Sequence, residues 1–167
     1  PVTESPSDIG DLMQLIAKHV DDPGLCPAHR GHLGYIPGGG LYASSLGDYI
    51  ADIGNRYSGI FFAGPGAVRM ENMMVRWMAD LVGYPESAAG TLLSGGSIAN
   101  LTAIVAARDA KGIRSRDIET SVIYLTAQVH HCVHKAIRIA GLADAHIRNV
   151  PMDNHFRMDV IELAAQV

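Results

Sequence analysis

"TLLSGGSIANLTAIVAARD", residues 91–109, joins a short apolar run to a helix-like pattern through Ser-Gly-Gly-Ser, and the reading of that corner decides the fold. Residues 90–93 have the character of a buried strand, and residues 98–110 repeat apolar side chains at helical spacing. The alternation continues downstream. Residues 121–125 ("SVIYL") and 146–150 read as further strands, while 133–140 and 160–167 read as helices. Strands alternating with helices at this spacing predict a parallel sheet with right-handed crossovers, and therefore an α/β domain. Three strands followed by a helix leave sheet edges that something else must cover, so the sheet is expected to be incomplete.

Upstream of the corner the text is different. Ile9, Leu12, Leu15, Ile16 and Val20 recur at helical spacing over residues 8–20, and "DDPG" at 21–24 breaks that helix. Residues 24–66 are rich in Gly and Tyr, with one helix expected around 46–55. The chain holds 18 glycines in 167 residues, well above the roughly 7% of an average protein, and many of them fall in this stretch. They read either as loops or as backbone that must approach a ligand or another subunit closely. In "AVRMENMMVRWMADLVGYP" (67–85), Arg69, Asn72, Arg76 and Asp80 form one helical stripe opposite Met70, Met73, Met74, Trp77 and Leu81. The Met and Trp stripe is expected to be core, with Gly83 and Pro85 ending the helix. The expected organisation is an N-terminal helical and Gly-rich segment over 1–85, then the start of a large α/β domain over 86–167.

Composition narrows the function. A hydrophobic content of 48% with 18% charged residues describes a globular chain with a substantial core. The net charge of −4 provides no basic footprint for nucleic acid or an anionic membrane, so a small molecule is the expected ligand. Two cysteines, Cys26 and Cys132, cannot build a disulfide framework, and neither a signal peptide nor an apolar run of spanning length is present. The expected compartment is the cytoplasm.

At Ser94–Ser97 the glycines allow a tight turn, and the following helix presents unpaired N–H groups and its positive dipole end to the same spot. That corner can hold an anion. Equally, Ser97 can serve as a plain N-cap that binds nothing. A Walker-type loop does not fit, because Ile98 and Ala99 stand where Lys and Ser or Thr are needed, and "SGGSIA" lacks the G-x-G-x-x-G spacing. A second polar cluster, His130, His131, Cys132 and His134, follows the next strand. In an open parallel sheet ligands bind beyond the C-terminal strand ends, which places both clusters at one crevice. Three readings of the histidines stand side by side: a metal site through His130 and His134, which lacks the Glu of H-E-x-x-H; partly exposed residues at a helix start; or an imidazole stacked on a flat cofactor ring whose phosphate lies at Gly96 and Ser97.

The blocks "GHLGYIPGGGLYASSLGDYIADIGNRY", "FFAGPGAVRMENMMVRWMADLVGYP", "LLSGGSIANLTAIVAARD", "QVHHCVHKAIRIAGL" and "VPMDNHFRMDVIEL" resemble, in the same order, successive blocks of the group II pyridoxal-phosphate decarboxylases, the family of aromatic amino acid, glutamate and related L-amino acid decarboxylases. The resemblance implies fold type I, with an N-terminal helical arm and the first part of a large, mainly parallel-sheet domain. It implies pyridoxal 5'-phosphate as cofactor, its phosphate on the amides of Gly96 and Ser97 and its pyridine ring stacked on His130, the catalytic residue of this segment. It further implies that Phe62, Gly64, Pro65 and Gly66 shape the substrate pocket, reaching across a homodimer interface, and that the N-terminal helices clasp a partner subunit.

The chain departs from the family pattern at three positions: Ile98 replaces the usual Glu after the corner Ser, and Ser58 and Gly59 replace the His-Pro pair before the aromatic doublet. Pyridoxal chemistry also requires a Schiff-base Lys and a carboxylate on the ring nitrogen. In the family both lie further along the chain. Lys18, Lys111 and Lys135 are the only lysines here, and Lys135, five residues after His130, corresponds to an ordinary helix-surface position. Asp153 and Asp159 fall in the wrong blocks for the ring-nitrogen partner. The expectation is the N-terminal part of an L-amino acid decarboxylase, inactive by itself, whose Lys and Asp come from a complementing C-terminal segment or chain. The alternatives are a non-catalytic fragment or degenerate subunit of that fold, and a metal-dependent hydrolase using the His cluster.

Overall fold

The computed structural model describes residues 5–167, which form two compact units divided in sequence between Arg69 and Met70. In the first unit, α1 (Ile9–Ile16) starts at Asp8, whose carboxylate accepts from the Gly10 amide at 2.7 Å and the Asp11 amide at 3.4 Å. It runs into a π-helical turn, Ala17–Asp21, and stops before Pro23. The helix α2 (Tyr42–Gly54) ends at Asn55, which takes the left-handed conformation at φ 39°. The helix α3 (Pro65–Leu81) opens with Pro at its first position, where the missing N–H costs nothing. Immediately before it, a Cβ on Gly64 would lie 2.5 Å from the Tyr57 carbonyl oxygen, so only glycine fits there. Gly64 is the one buried residue among those described in this unit, and Ile36 (99% exposed), Leu33 (95%) and Phe62 (93%) stand almost free of the fold.

The second unit has a core. Its strands β1 (Val122–Leu125) and β2 (His146–Asn149) are parallel, paired from Val122 with His146 to Leu125 with Asn149. Further bonds at each end, His146 N–H to the Ser121 carbonyl (2.9 Å) and Val150 N–H to the Leu125 carbonyl (2.8 Å), match the two strands expected at 121–125 and 146–150. The crossover between them contains α5 (His131–Ile139), and α4 (Gly96–Ala110) packs against α5. Leu125, Ile137, Ala140, Leu142 and Ala145 form the buried cluster, flanked by Leu101, Ile104 and Val105 from α4 and by Ile123 and Val133. Apolar positions on one side of each of these elements thus serve one core, as amphipathic patterning requires.

The last helix, α6 (Val160–Gln166), is capped by Asp159, which accepts from Ile161 N–H (2.9 Å) and Glu162 N–H (3.2 Å). The Gln166 carbonyl at its other end accepts from the Tyr124 hydroxyl at 2.9 Å and from the Arg148 guanidinium, which ties α6 to both strands. Before α6 the chain turns tightly around Asp153, whose carboxylate accepts from His155 N–H (2.8 Å), Arg157 N–H (3.0 Å) and the Arg157 guanidinium (2.8 Å). The Arg157 backbone amide is the largest influence holding the Asp153 carboxyl below its ordinary value of 3.8, with the Arg157 side chain and the His155 amide acting in the same direction against partial desolvation.

Two expectations and one alternative reading are corrected. Residues 90–93 are not a strand, because their polar groups turn to a side chain: the Glu71 carboxylate accepts from Leu92 N–H at 3.3 Å and lies 3.5 Å from the Thr91 hydroxyl. The Met and Trp stripe of α3 is not core. Met70, Met73, Trp77 and Leu81 are 55–66% exposed, while Ala79 is buried and Val75 and Arg76 are half-buried, because the chain after α3 folds back over that side. The Arg76 guanidinium secures this return, donating to the carbonyls of Pro85 (3.2 Å), Glu86 (3.0 Å) and Tyr84 (3.4 Å) while paired with Asp80 at 2.6 Å. Finally, Ser97 is not the N-cap of α4. Gly95 holds that place at φ 100°, a conformation Ser avoids, and Ser97 is the second helical residue.

Candidate cofactor site

The first turn of α4 is built for an acceptor. The Gly95 amide donates back to the Leu93 carbonyl at 2.8 Å, and the Gly95 carbonyl receives Ala99 N–H at 3.2 Å, closing the first helical turn. The amides of Gly96, Ser97 and Ile98 precede any intrahelical acceptor, no side chain caps them, and all three residues are exposed. No acid stands in this turn to neutralise the helix dipole. A Cβ at Gly95 or Gly96 would meet nothing within 4 Å, so the backbone there is open to close approach. Three convergent donors with open space before them fit a phosphate group.

The second element of the site is the start of α5. A turn from Thr126 to Val129, closed at 3.2 Å, leads from the C-terminal end of β1 to His130, the N-cap residue. Its Nδ1 accepts from Cys132 N–H at 3.2 Å, so in the neutral ring the proton belongs on Nε2. The ring is exposed and lies with its centroid 4.1 Å from that of His131, tilted by 38°. His134, one turn on, is also exposed, and among the described residues no three His, Cys, Asp or Glu side chains gather as a metal site.

The two helix starts are joined by a residue that the sequence reading passed over. Asn100 donates from Nδ2 both to the Gly96 carbonyl at 2.8 Å and to Cys132 Sγ at 3.5 Å. Through Cys132, 5% exposed, the corner at Gly96 is connected to the cap at His130. An Asn within a helix and a Cys beside a cap are weak signals, and only the packing of α4 on α5 makes them neighbours. Gly96, Ser97 and His130 are therefore gathered at one side of the second unit. Phe62, Gly64, Pro65 and Gly66 belong to the first, where Phe62 projects from the turn closed by Ala63 N–H to the Ile60 carbonyl (3.1 Å).

The conserved domain of pyridoxal-dependent decarboxylases matches residues 4–167. The chain belongs to that family. Its cofactor is pyridoxal 5'-phosphate. The aromatic-L-amino-acid decarboxylase of Bacillus atrophaeus is 32% identical over 99% of this chain and 34% of its own length, and a tyrosine decarboxylase of Oryza sativa subsp. japonica is 34% identical over 86% and 27%. The chain thus spans about a third of the curated relatives it matches. Among solved structures, Catharanthus roseus tryptophan decarboxylase in complex with L-tryptophan superposes with a TM-score of 0.83 at 22% identity, covering 99% of this chain and 37% of that one. The glutamate decarboxylase domain of a Vibrio parahaemolyticus protein reaches 0.88 at 18% identity, with coverages of 99% and 38%. These likenesses establish the fold, that of the N-terminal part of a pyridoxal-phosphate-dependent decarboxylase; β1 and β2 are an incomplete portion of its sheet.

Proposed function

We propose that this chain forms the phosphate-holding and ring-stacking part of an L-amino acid decarboxylase. The observation that carries the reading is the pairing of α4's three uncapped amides with His130, tied together through Asn100 and Cys132, in a chain of this family. The amides of Gly96 and Ser97 receive the phosphate of pyridoxal 5'-phosphate, and the exposed face of His130 lies against its ring. With Nδ1 engaged by Cys132, His130 presents Nε2–H as a donor, suited to a substrate carboxylate. When bound, the cofactor supplies the electron sink that accepts the pair released by departing carbon dioxide.

The lysine that grips the cofactor is assigned to sequence outside this chain. Lys111 caps the far end of α4, roughly 20 Å from Gly96 at 1.5 Å per residue, and Lys135 is exposed on α5. The acid for the ring nitrogen is assigned there as well, so this chain alone is inactive. Phe62, Gly64, Pro65 and Gly66 are proposed to border the substrate. The exposed apolar residues of the first unit support its role as an arm covering a second copy of the protein, since a surface of this kind marks an interface. The substrate is an amino acid. Among the described residues no helix is long and apolar enough to cross a membrane.

The test uses the complete protein with pyridoxal phosphate. Carbon dioxide release from L-amino acids is expected, and His130→Ala is expected to shift the visible absorbance of the bound cofactor. Release of no carbon dioxide from any L-amino acid by fully loaded protein would overturn the decarboxylase reading; an unaltered spectrum in the variant would overturn the stacking role.

A further inference from the structure

We propose that Asn100 and Cys132 are positioning residues that fix the orientation and tautomer of His130 relative to the first turn of α4; the value of that arrangement to the cofactor rests on the function proposed above. Both hydrogens of one amide are used across two helices: Asn100 Nδ2 reaches the Gly96 carbonyl of its own helix at 2.8 Å and Cys132 Sγ of α5 at 3.5 Å. A thiol is a weak acceptor, and in water it would lose this donor to solvent. Cys132 is 5% exposed, however, so the contact is sheltered, and loss of Asn100 leaves the sulfur without that partner.

The thiol's position bears on His130 through the backbone. Cys132 N–H is the donor to His130 Nδ1 at 3.2 Å, and this bond makes His130 both the cap of α5 and an Nε2–H tautomer. A shift of Cys132 therefore changes the donor that selects the tautomer. On the other side the His131 ring, 4.1 Å away, limits where the imidazole can turn. The cap bond alone would orient His130 with respect to α5. Helix packing and the Arg108 bond to the Ala140 carbonyl (2.6 Å) hold α4 on α5 further along, and the Asn100 bridge relates the His130 cap to the first turn of α4, where the anion site is proposed.

The experiment is carried out on the complete protein, first without cofactor. In the parent protein, the nitrogen-15 signals of His130 are expected to show a protonated Nε2 and an unprotonated Nδ1. Asn100→Ala and Cys132→Ala should each draw the two signals together as the ring samples both tautomers, and the double variant should be no worse than the more severe single one. Cys132→Ser, whose hydroxyl still accepts from Asn100, should retain the parent signals. Asn100 is itself exposed, so its alanine variant keeps the fold even if Cys132→Ala does not, and the contrast between Asn100→Ala and Cys132→Ser then carries the test.

With pyridoxal phosphate bound, Asn100→Ala is expected to alter the visible circular dichroism of the cofactor in the direction given by His130→Ala. It should also lower kcat by about three- to tenfold with little change in KM, the scale of one hydrogen bond. A bridge that only packs helices would lower the melting temperature and leave the His130 nitrogen signals in place; that result, in Asn100→Ala, overturns the proposal. If instead the signals move in Asn100→Ala while His130→Ala leaves the cofactor's dichroism unchanged, the bridge stands and the stacking role of His130 falls.

Discussion

The core cluster of the second unit and the apolar residues of the first are used in opposite ways. In the second, Ile137 and Val150 are each 2% exposed and a closed cluster joins α4, α5 and β1, whereas in the first Ile36 and Leu33 are 99% and 95% exposed. Hydrophobic patterning therefore has two outcomes in one chain. Over 101–150 it describes a buried cluster on an incomplete sheet. Over 9–62 it describes a surface that, in the function proposed here, is completed by a second copy of the protein.

Substitutions can break this contrast. Ile137→Ala should cost the most, about 2–5 kcal/mol in chemical unfolding, because it opens a cavity in the closed cluster. Arg76→Ala comes next at about 1–3 kcal/mol, since the carbonyls of Tyr84, Pro85 and Glu86 lose a shared donor and the return of the chain along α3 loosens. Asp159→Ala should cost about 0.5–2 kcal/mol through the lost cap of α6. Ile36→Ala should change the stability of this chain alone by less than about 0.5 kcal/mol, and a core-sized loss there would abolish the distinction between the units.

Asp153 sharpens the comparison through pH. Its carboxyl is lowered in the folded chain, so the folded state binds fewer protons than the unfolded one as acid is added. The stabilisation is fully present above the ordinary value of 3.8 and is lost as pH falls through the lower folded value. Unfolding free energies of the parent and Asp153→Asn should accordingly differ at neutral pH and converge in acid. A gap that widened in acid would reverse the assigned sign.

The sequence was informative where a residue's neighbours in the chain decide its conformation. The turn at the Ser-Gly-Gly-Ser corner and the strand at 121–125 are local features, and the blocks identified the family. What escaped the reading depends on distant partners. Residues 90–93 have the composition of a strand yet bond to Glu71, twenty residues earlier in sequence. The Met and Trp stripe of α3 has core composition, but Arg76 draws the returning chain to the other side of the helix. Asn100 and Cys132 become a pair only when α4 meets α5. The alternative in which Ser97 caps α4 fails because one local rule overrides another: a hydroxyl is a good cap, but the positive φ of the turn reserves the cap for Gly95.

The most direct measurement is the affinity of the complete protein for pyridoxal phosphate when Gly96 is changed to Pro. Proline is accepted at the first position of a helix and removes one of the three free amides, and a Cβ at this site meets no neighbouring atom. If the α4 corner holds the phosphate, affinity should fall by about tenfold to a hundredfold while the fold persists. Unchanged affinity in a folded variant would contradict the account.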